Sequence, residues 1–408
     1  MLTAKFTDKK KISVTSCTLA LITKFSTGAL FPILILLSVG VILAPHAIEL
    51  RLTGVPPIYV ASRKRKLCIL LAALIGMGLL AYAMIWAAYR FRYEEVVLPG
   101  QQHEAPWHQV FSQPSWSKQT ILWLKEAKLL PEAYLFGLAS VLQSTRRVAF
   151  LMGEIGDGWW YFFILTFLLK TPLPLLLLVA LAPLTFRQRW RHDRVALLFL
   201  LTPVLVYFGI ASASRMNIGH RHILPIYPFL FVLAGSLISA AMRQAAPLKR
   251  GLMAVVYLAW YIFSCVSIFP HYLAYFNELT GGPEYGYRYL VDSNLDWGQD
   301  LKGLKRYMQE HGIERVWLSY FGTASPDYYG ISYDYLPSYV IFNPKQVRQE
   351  LFRLARLPPL PGTVAISVTN LQGVYLAAFE LNPGYFELYR QQRPVAKIGN
   401  TIFIYRFE

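Results

Sequence analysis

Five stretches of this chain, at about 69–89, 159–186, 195–213, 223–242 and 251–269, stay apolar for the length a helix needs to cross hydrocarbon. A bilayer core about 30 Å thick takes roughly 20 helical residues, and lipid offers backbone polar groups no partner, so such runs must fold as helices. A further region, Ile12 to Ala44, is too long for one straight span and contains Lys24. Lys5, Lys9, Lys10 and Lys11 precede it, and Arg51, Arg63, Lys64, Arg65 and Lys66 follow it. Basic residues gather at the cytoplasmic face, so both ends read as cytoplasmic and the region as a helical hairpin broken near Lys24 to Thr27. The expected fold class is a polytopic α-helical membrane protein with about 6–7 spans.

Charge sharpens this. The formal net charge of +17 lies wholly in residues 1–269, because residues 270–408 carry 13 Lys/Arg and 13 Asp/Glu. A basic excess interleaved with apolar runs belongs to loops held at a membrane face, in contact with membrane lipids. A nucleic-acid binder would place it on a folded soluble face, so no nucleic-acid partner is expected. Following the charges, the loop of about 90–157 is external, and FRQRWRHDR, with Arg187, Arg189, Arg191 and Arg194, forms a cytoplasmic turn. The next pair of spans returns to Arg243, Lys249 and Arg250, and the last delivers residues 270–408 outside. A multi-pass protein of the inner (plasma) membrane with an extracytoplasmic C-terminal domain follows. Cys17, Cys68 and Cys265 lie in or beside apolar segments, so no disulfide framework is expected outside.

Beyond residue 270 the apolar runs shorten and turns such as Gly281-Gly282-Pro283 and Asn382-Pro383-Gly384 punctuate the chain. Gln299 to His311, with Leu301, Leu304 and Met308 at helical spacing, predicts an amphipathic helix. RVWLSYF, Thr363 to Thr369, and the pair VAKIG and TIFIYRF around Asn400 predict strands, hence a small α/β domain. Asp292, Asn294 and Asp296 are spaced like the start of a calcium loop. Trp297 and Gly303 stand where such a loop needs glycine and a bidentate carboxylate. A turn in which Asp296 or a neighbour caps the following helix is the better reading, and no metal ligands are assigned. The aromatic SYFGTASPDYYG, Ser319 to Gly330, reads as a sugar-stacking surface or as a loop whose tyrosines pack on the domain or the membrane interface.

The chemistry-bearing residues gather elsewhere. SRMNIGHRHILPIYPF, Ser214 to Phe229, crowds Arg215, His220, Arg221 and His222 into a hinge between two apolar runs, on the outer side of the expected topology. Ionisable groups in such places mark substrate or ion paths. Lys170-Thr171-Pro172 interrupts another span. Either Pro172 and Pro174 break the helix and Lys170 snorkels or caps carbonyls, or it joins Arg215 and Arg221 on one cavity, where ammonium and guanidinium groups suit phosphate oxygens. Glu154 and Asp157, just before Trp159, Trp160 and Tyr161, are weak candidates for a catalytic carboxylate.

The ordered blocks LITKFSTGALFPIL, LPEAYLFGL, GWWYFFILTFLLKTPLPLLLL, MNIGHRHILPIYPFLFVLAG and DSNLDWGQDLKGLKRYM resemble the distal part of bacterial GT-C fold membrane glycosyltransferases, the family 39 or protein O-mannosyltransferase-like group. The resemblance implies a polyprenyl-phosphate-linked sugar as donor and transfer of that sugar to an extracytoplasmic acceptor. Such enzymes carry an acidic pair in the loop after their first span; nothing here occupies that place, and Glu94-Glu95 follows no such span. The chemistry needs a carboxylate base and a cationic or metal clamp on the departing phosphate. His220, Arg221, His222, Arg215 and Lys170 supply clamp candidates, and a divalent metal could serve the same end. Two other classes remain open: a transporter or flippase-like protein with Lys170 and the hinge along its path, and a non-catalytic scaffold presenting the C-terminal domain.

Overall fold

The structure is a computed structural model that describes residues 19, 20, 23, 25–50, 56–93, 107, 116–143, 147–214, 216–244, 246–338 and 349–408. Its helices follow the apolar runs: α1 (Leu30–Leu43), α2 (Arg63–Ala88), α3 (Trp116–Glu126), α4 (Glu132–Gln143), α5 (Phe162–Lys170), α6 (Leu173–Leu181), α7 (Phe186–Ala213), α8 (Tyr227–Gln244) and α9 (Pro247–Val266). Three segments are long and apolar enough to cross a membrane: α2, Arg194–Ala213 within α7, and His220–Ser239, which joins a 3-10 turn to α8. A fourth arises if α5 and α6, bent by 118° at Thr171–Pro172, count as one broken span. Thr27–Leu43 and Gly251–Val266 are apolar but shorter. Among the described residues the count is therefore three or four, not six or seven. The expected hairpin partner of α1, residues 12–24, lies almost wholly outside them.

The packing divides into two compact units. One comprises residues 1–145 and 186–210. In it the hairpin β1 (Ile48–Leu50) and β2 (Ile58–Val60) links α1 to α2. Lys66, fully buried at the start of α2, donates to the carbonyls of Val41, Ala44 and His46 at 3.3, 2.8 and 2.7 Å. These include the last orphan acceptors of α1, which a cation at a helix C-terminus satisfies and neutralises. Part of the expected external loop is helical: α3 and α4 bury Ile121, Leu135 and Ala139 against each other. The turn expected at FRQRWRHDR is instead the first turns of α7. None of its residues breaks a helix, and the interruption falls earlier, in the 3-10 turn Ala182–Thr185 around Pro183.

The second unit comprises residues 146–185 and 211–408. Its membrane-type helices pack through Leu175 and Leu178 of α6, Ala234 of α8, and Tyr257 and Tyr261 of α9. A hairpin, β3 (Ala149–Leu151) with β4 (Glu154–Gly156), precedes α5. After α9 comes a run of 3-10 turns, then the amphipathic helix α10 (Leu301–Glu310). The sheet holds β5 (Val316–Ser319), β6 (Tyr333–Tyr335), β7 (Gly362–Ser367), β8 (Ala396–Ile398) and β9 (Ile402–Phe407) in the order β6-β5-β7-β9-β8. The β5 strand runs parallel to β6 and β7; β9 is antiparallel to β7 and β8.

One face of the sheet is covered by Leu301, Leu304 and Met308 of α10, which meet Val316, Leu318, Ala365, Ile402 and Ile404. On β9 the alternate residues Phe403 and Tyr405 take rings from elsewhere, Tyr287 at 4.8 Å and Tyr389 at 5.2 Å between centroids. With both faces covered, the strand reads IFIYRF, a near-continuous apolar run. Gly399 and Asn400, at φ +58° and +62°, turn the chain between β8 and β9 in the mirror-image geometry that matches strand twist.

Candidate functional site

The second unit folds the hinge onto the segment after α9. Pro172 has no N–H, so it strips Leu168 of its helical donor and ends α5. Asn277, fully buried, replaces the loss: its side-chain amide donates to Leu168 O at 2.5 Å and Thr171 O at 2.9 Å, and its own N–H donates to Leu169 O at 2.9 Å. Lys170, the residue before the break, donates to Leu273 O at 2.8 Å and to Asn294 O, with its ammonium 4.5 Å from the centre of the Phe276 ring. It therefore caps carbonyls, as the blander sequence reading has it, although those carbonyls belong to a distant segment rather than to its own helix.

Asn294 joins Lys170 to the hinge. Its side-chain oxygen accepts from the His220 N–H at 2.8 Å, and the neighbouring Ser293 hydroxyl donates to Ile218 O. A Cβ at Gly219 would stand 2.5 Å from Ser293 Oγ, so this approach needs glycine. The two histidines turn inward. His220 hydrogen-bonds through Nε2 to the Tyr227 hydroxyl at 2.7 Å, which also meets the Thr171 hydroxyl, and His222 sets its edge on Phe163, 6.3 Å between centroids. Arg221, between them, turns outward. Its guanidinium lies 5.2 Å over the ring of Trp297, which is 55% exposed. Among the described residues it has no hydrogen bond or ion pair. Arg215 lies outside the described residues.

The stretch 292–300 carries three carboxylates with separate partners. Asp292 sits at φ +55°, a left-handed conformation that Asp tolerates better than most residues. Its carboxylate accepts from the Ser293 N–H and the Tyr375 hydroxyl, and its N–H donates to Thr369 Oγ1 at 3.0 Å. Burial raises its pKa, opposed by the Tyr375 and Ser293 hydrogen bonds and by the charges of Arg221 and Arg147. Asp296, 1% exposed, accepts from the Gly298 N–H at 3.0 Å through Oδ1, and its Oδ2 has no hydrogen-bond partner among the described residues. Burial, with Asp300 and Asp292 nearby, pushes it well above the ordinary carboxylate range. Asp300 accepts from Thr401 Oγ1 at 2.6 Å and pairs with His271 Nδ1 at 3.2 Å. Being so engaged, it leaves the start of α10 without a side-chain cap, and Asp296 caps only its own turn. The turn in the sequence reading stands; the helix cap does not. No cluster of three or more His, Cys, Asp or Glu suited to a metal occurs among the described residues.

Glu154 lies on β4 and Asp157 just after it; both are exposed, and among the described residues neither carboxylate has a hydrogen bond or ion pair. The hinge is instead joined by Arg147, Trp297 and Tyr375, which carry no sequence signal of site chemistry, and by Asp292, whose only signal is its spacing with Asn294 and Asp296. Asp292 stands among turn formers, where an acidic residue is ordinary, and its partner Tyr375 is 83 positions away. Near this assembly, at the α5/α6 bend, a shallow cleft of about 460 Å³ is lined by Phe167, Leu168, Leu173, Leu176, Trp260 and other apolar side chains. No family model, no curated protein and no solved structure matches this chain.

Proposed function

We propose that the chain is a glycosyltransferase-like membrane protein that holds a polyprenyl-phosphate-linked sugar at the hinge, for transfer to an extracytoplasmic acceptor. The observation that carries this reading is Arg221: an exposed guanidinium, without a hydrogen bond among the described residues, laid on an exposed tryptophan at the end of an apolar span. A guanidinium is the group best matched to phosphate oxygens, and the indole face fixes its plane before the ligand arrives. The apolar cleft at the bend supports the same reading, since its lining suits a lipid tail. Lys170 takes a positioning role here, because its ammonium is already committed to two carbonyls. His220 and His222 hold the hinge to α5 and α8.

The purified full chain should bind tritiated undecaprenyl-phosphate mannose in detergent micelles. Arg221→Ala should weaken binding roughly 10- to 100-fold, the equivalent of about 1.5–3 kcal/mol for charge-assisted hydrogen bonds. Failure of the wild-type chain to bind, or equal binding by the variant, refutes the reading.

A further inference from the structure

Five side chains of the second unit form a run of four contacts from Asp292 to Arg221. Asp292 accepts from the Tyr375 hydroxyl. Tyr375 stacks on Phe321 at 6.0 Å and an interplanar angle of 6°. Phe321 meets Trp297 at 6.0 Å, and Trp297 carries Arg221 at 5.2 Å. The charge of Arg221 acts back on Asp292, with no ion pair between them within 4.0 Å. Arg147 acts on the same carboxylate from the β3 side.

The Arg221 guanidinium and the Asp292 carboxylate do not neutralise each other in an ion pair. The Asp292 carboxylate has about four acceptor sites, of which the Ser293 N–H and the Tyr375 hydroxyl use two. It is held rigidly: the backbone is anchored to Thr369, and the left-handed φ fixes the direction of the side chain. Trp297 offers an exposed apolar face. Planar acceptors and donors beside an aromatic face match a pyranose ring, which has hydroxyls around its edge and C–H groups on its faces.

We infer that this group of side chains is a sugar-binding subsite beside the phosphate held by Arg221, in which Asp292 accepts from hydroxyls of a hexopyranose and Trp297 covers its apolar face. The inference rests on the lipid-phosphate reading for its ligand, but concerns the sugar rather than the phosphate.

Two probes separate the claims: tritiated undecaprenyl-phosphate mannose and undecaprenyl phosphate without sugar, each titrated into the full chain. The wild-type chain should prefer the mannosylated lipid by tenfold or more. Asp292→Asn keeps the side-chain shape and tolerates the same φ; in it the preference should fall to within about threefold, while binding of the bare lipid phosphate does not weaken. Trp297→Leu should also narrow the preference. If neither lipid binds, the lipid-phosphate reading and this inference fall together. Equal binding of both lipids by the wild-type chain overturns the sugar subsite alone, as does an Asp292→Asn variant that keeps the full preference.

Discussion

Asp296→Asn tests how the loop after α9 balances its charges. The wild-type carboxyl is 1% exposed, has one hydrogen-bonded and one unpartnered oxygen, and lies near Asp292 and Asp300. Burial, the largest cause, raises its pKa well above the ordinary value, so the folded chain keeps a proton that the unfolded chain releases near pH 3.9. Because the folded state then binds more protons, the contribution is fully present below the unfolded pKa and is lost as pH rises toward the folded one. Each pH unit in that window costs about 1.4 kcal/mol of stability. Asparagine keeps an acceptor for the Gly298 N–H and removes the proton linkage. The pKa values of Asp292 and Asp300 are likewise raised by burial, and both carboxyls are present in the two proteins, so their pH dependence is common to both profiles. Within that window the variant should gain stability on the wild-type chain as pH rises. The measurement is hydrogen exchange of the β7 amides, Gly362–Ser367, in the full chain in micelles from pH 5 to 8, corrected for intrinsic exchange rates. Parallel pH profiles for the two proteins would show that Asp296 is ionised in the folded state and would refute the reasoning.

Two further substitutions probe the scaffold around the site. At Gly399 a Cβ would lie 2.1 Å from Asp300 Oδ2 at φ +58°; Gly399→Ala should displace the Thr401–Asp300 hydrogen bond and cost about 2–4 kcal/mol, read as a lowered denaturation midpoint. Asn277→Ala strips two carbonyls at the α5/α6 bend, Leu168 O and Thr171 O, of their side-chain donor, and should cost about 2–4 kcal/mol while speeding proteolysis between α5 and α6; an unchanged midpoint would mean that packing and the remaining backbone bond to Leu169 O hold the bend.

Much of this was legible in the sequence, for reasons that differ between elements. The spans were visible because their signal is local: a run of Leu, Ile, Val and Phe long enough to cross hydrocarbon. The strands β5, β7, β8 and β9 and the helix α10 were visible through periodicity. The short β6 was not, because its three residues sit among prolines and tyrosines and gain their strand form by pairing with β5. Helices α3 and α4 hid in a stretch read as loop, because their apolar faces are covered mainly by each other. Arg221 stood out because a cation beside an apolar run is rare. Asp292 stood out only through its spacing with Asn294 and Asp296; the backbone angle and the contact with Tyr375 that set it apart leave no trace in local composition. Lys170 was recognisable as needing a partner, but not as finding one in the carbonyl of Asn294, 124 positions on.

The bend between α5 and α6 also sets an order of assembly. Its freed carbonyls are satisfied by a residue that leaves the ribosome 106 positions after Thr171. At about 5–20 residues per second, those groups wait roughly 5–20 s for their donor. In that interval α6, α7, α8 and α9 are made, so the bent pair reaches its final form only after the last apolar helix has emerged and Asn277 has folded back against it. The break is thus closed late, by the same stretch of chain that goes on to build the site.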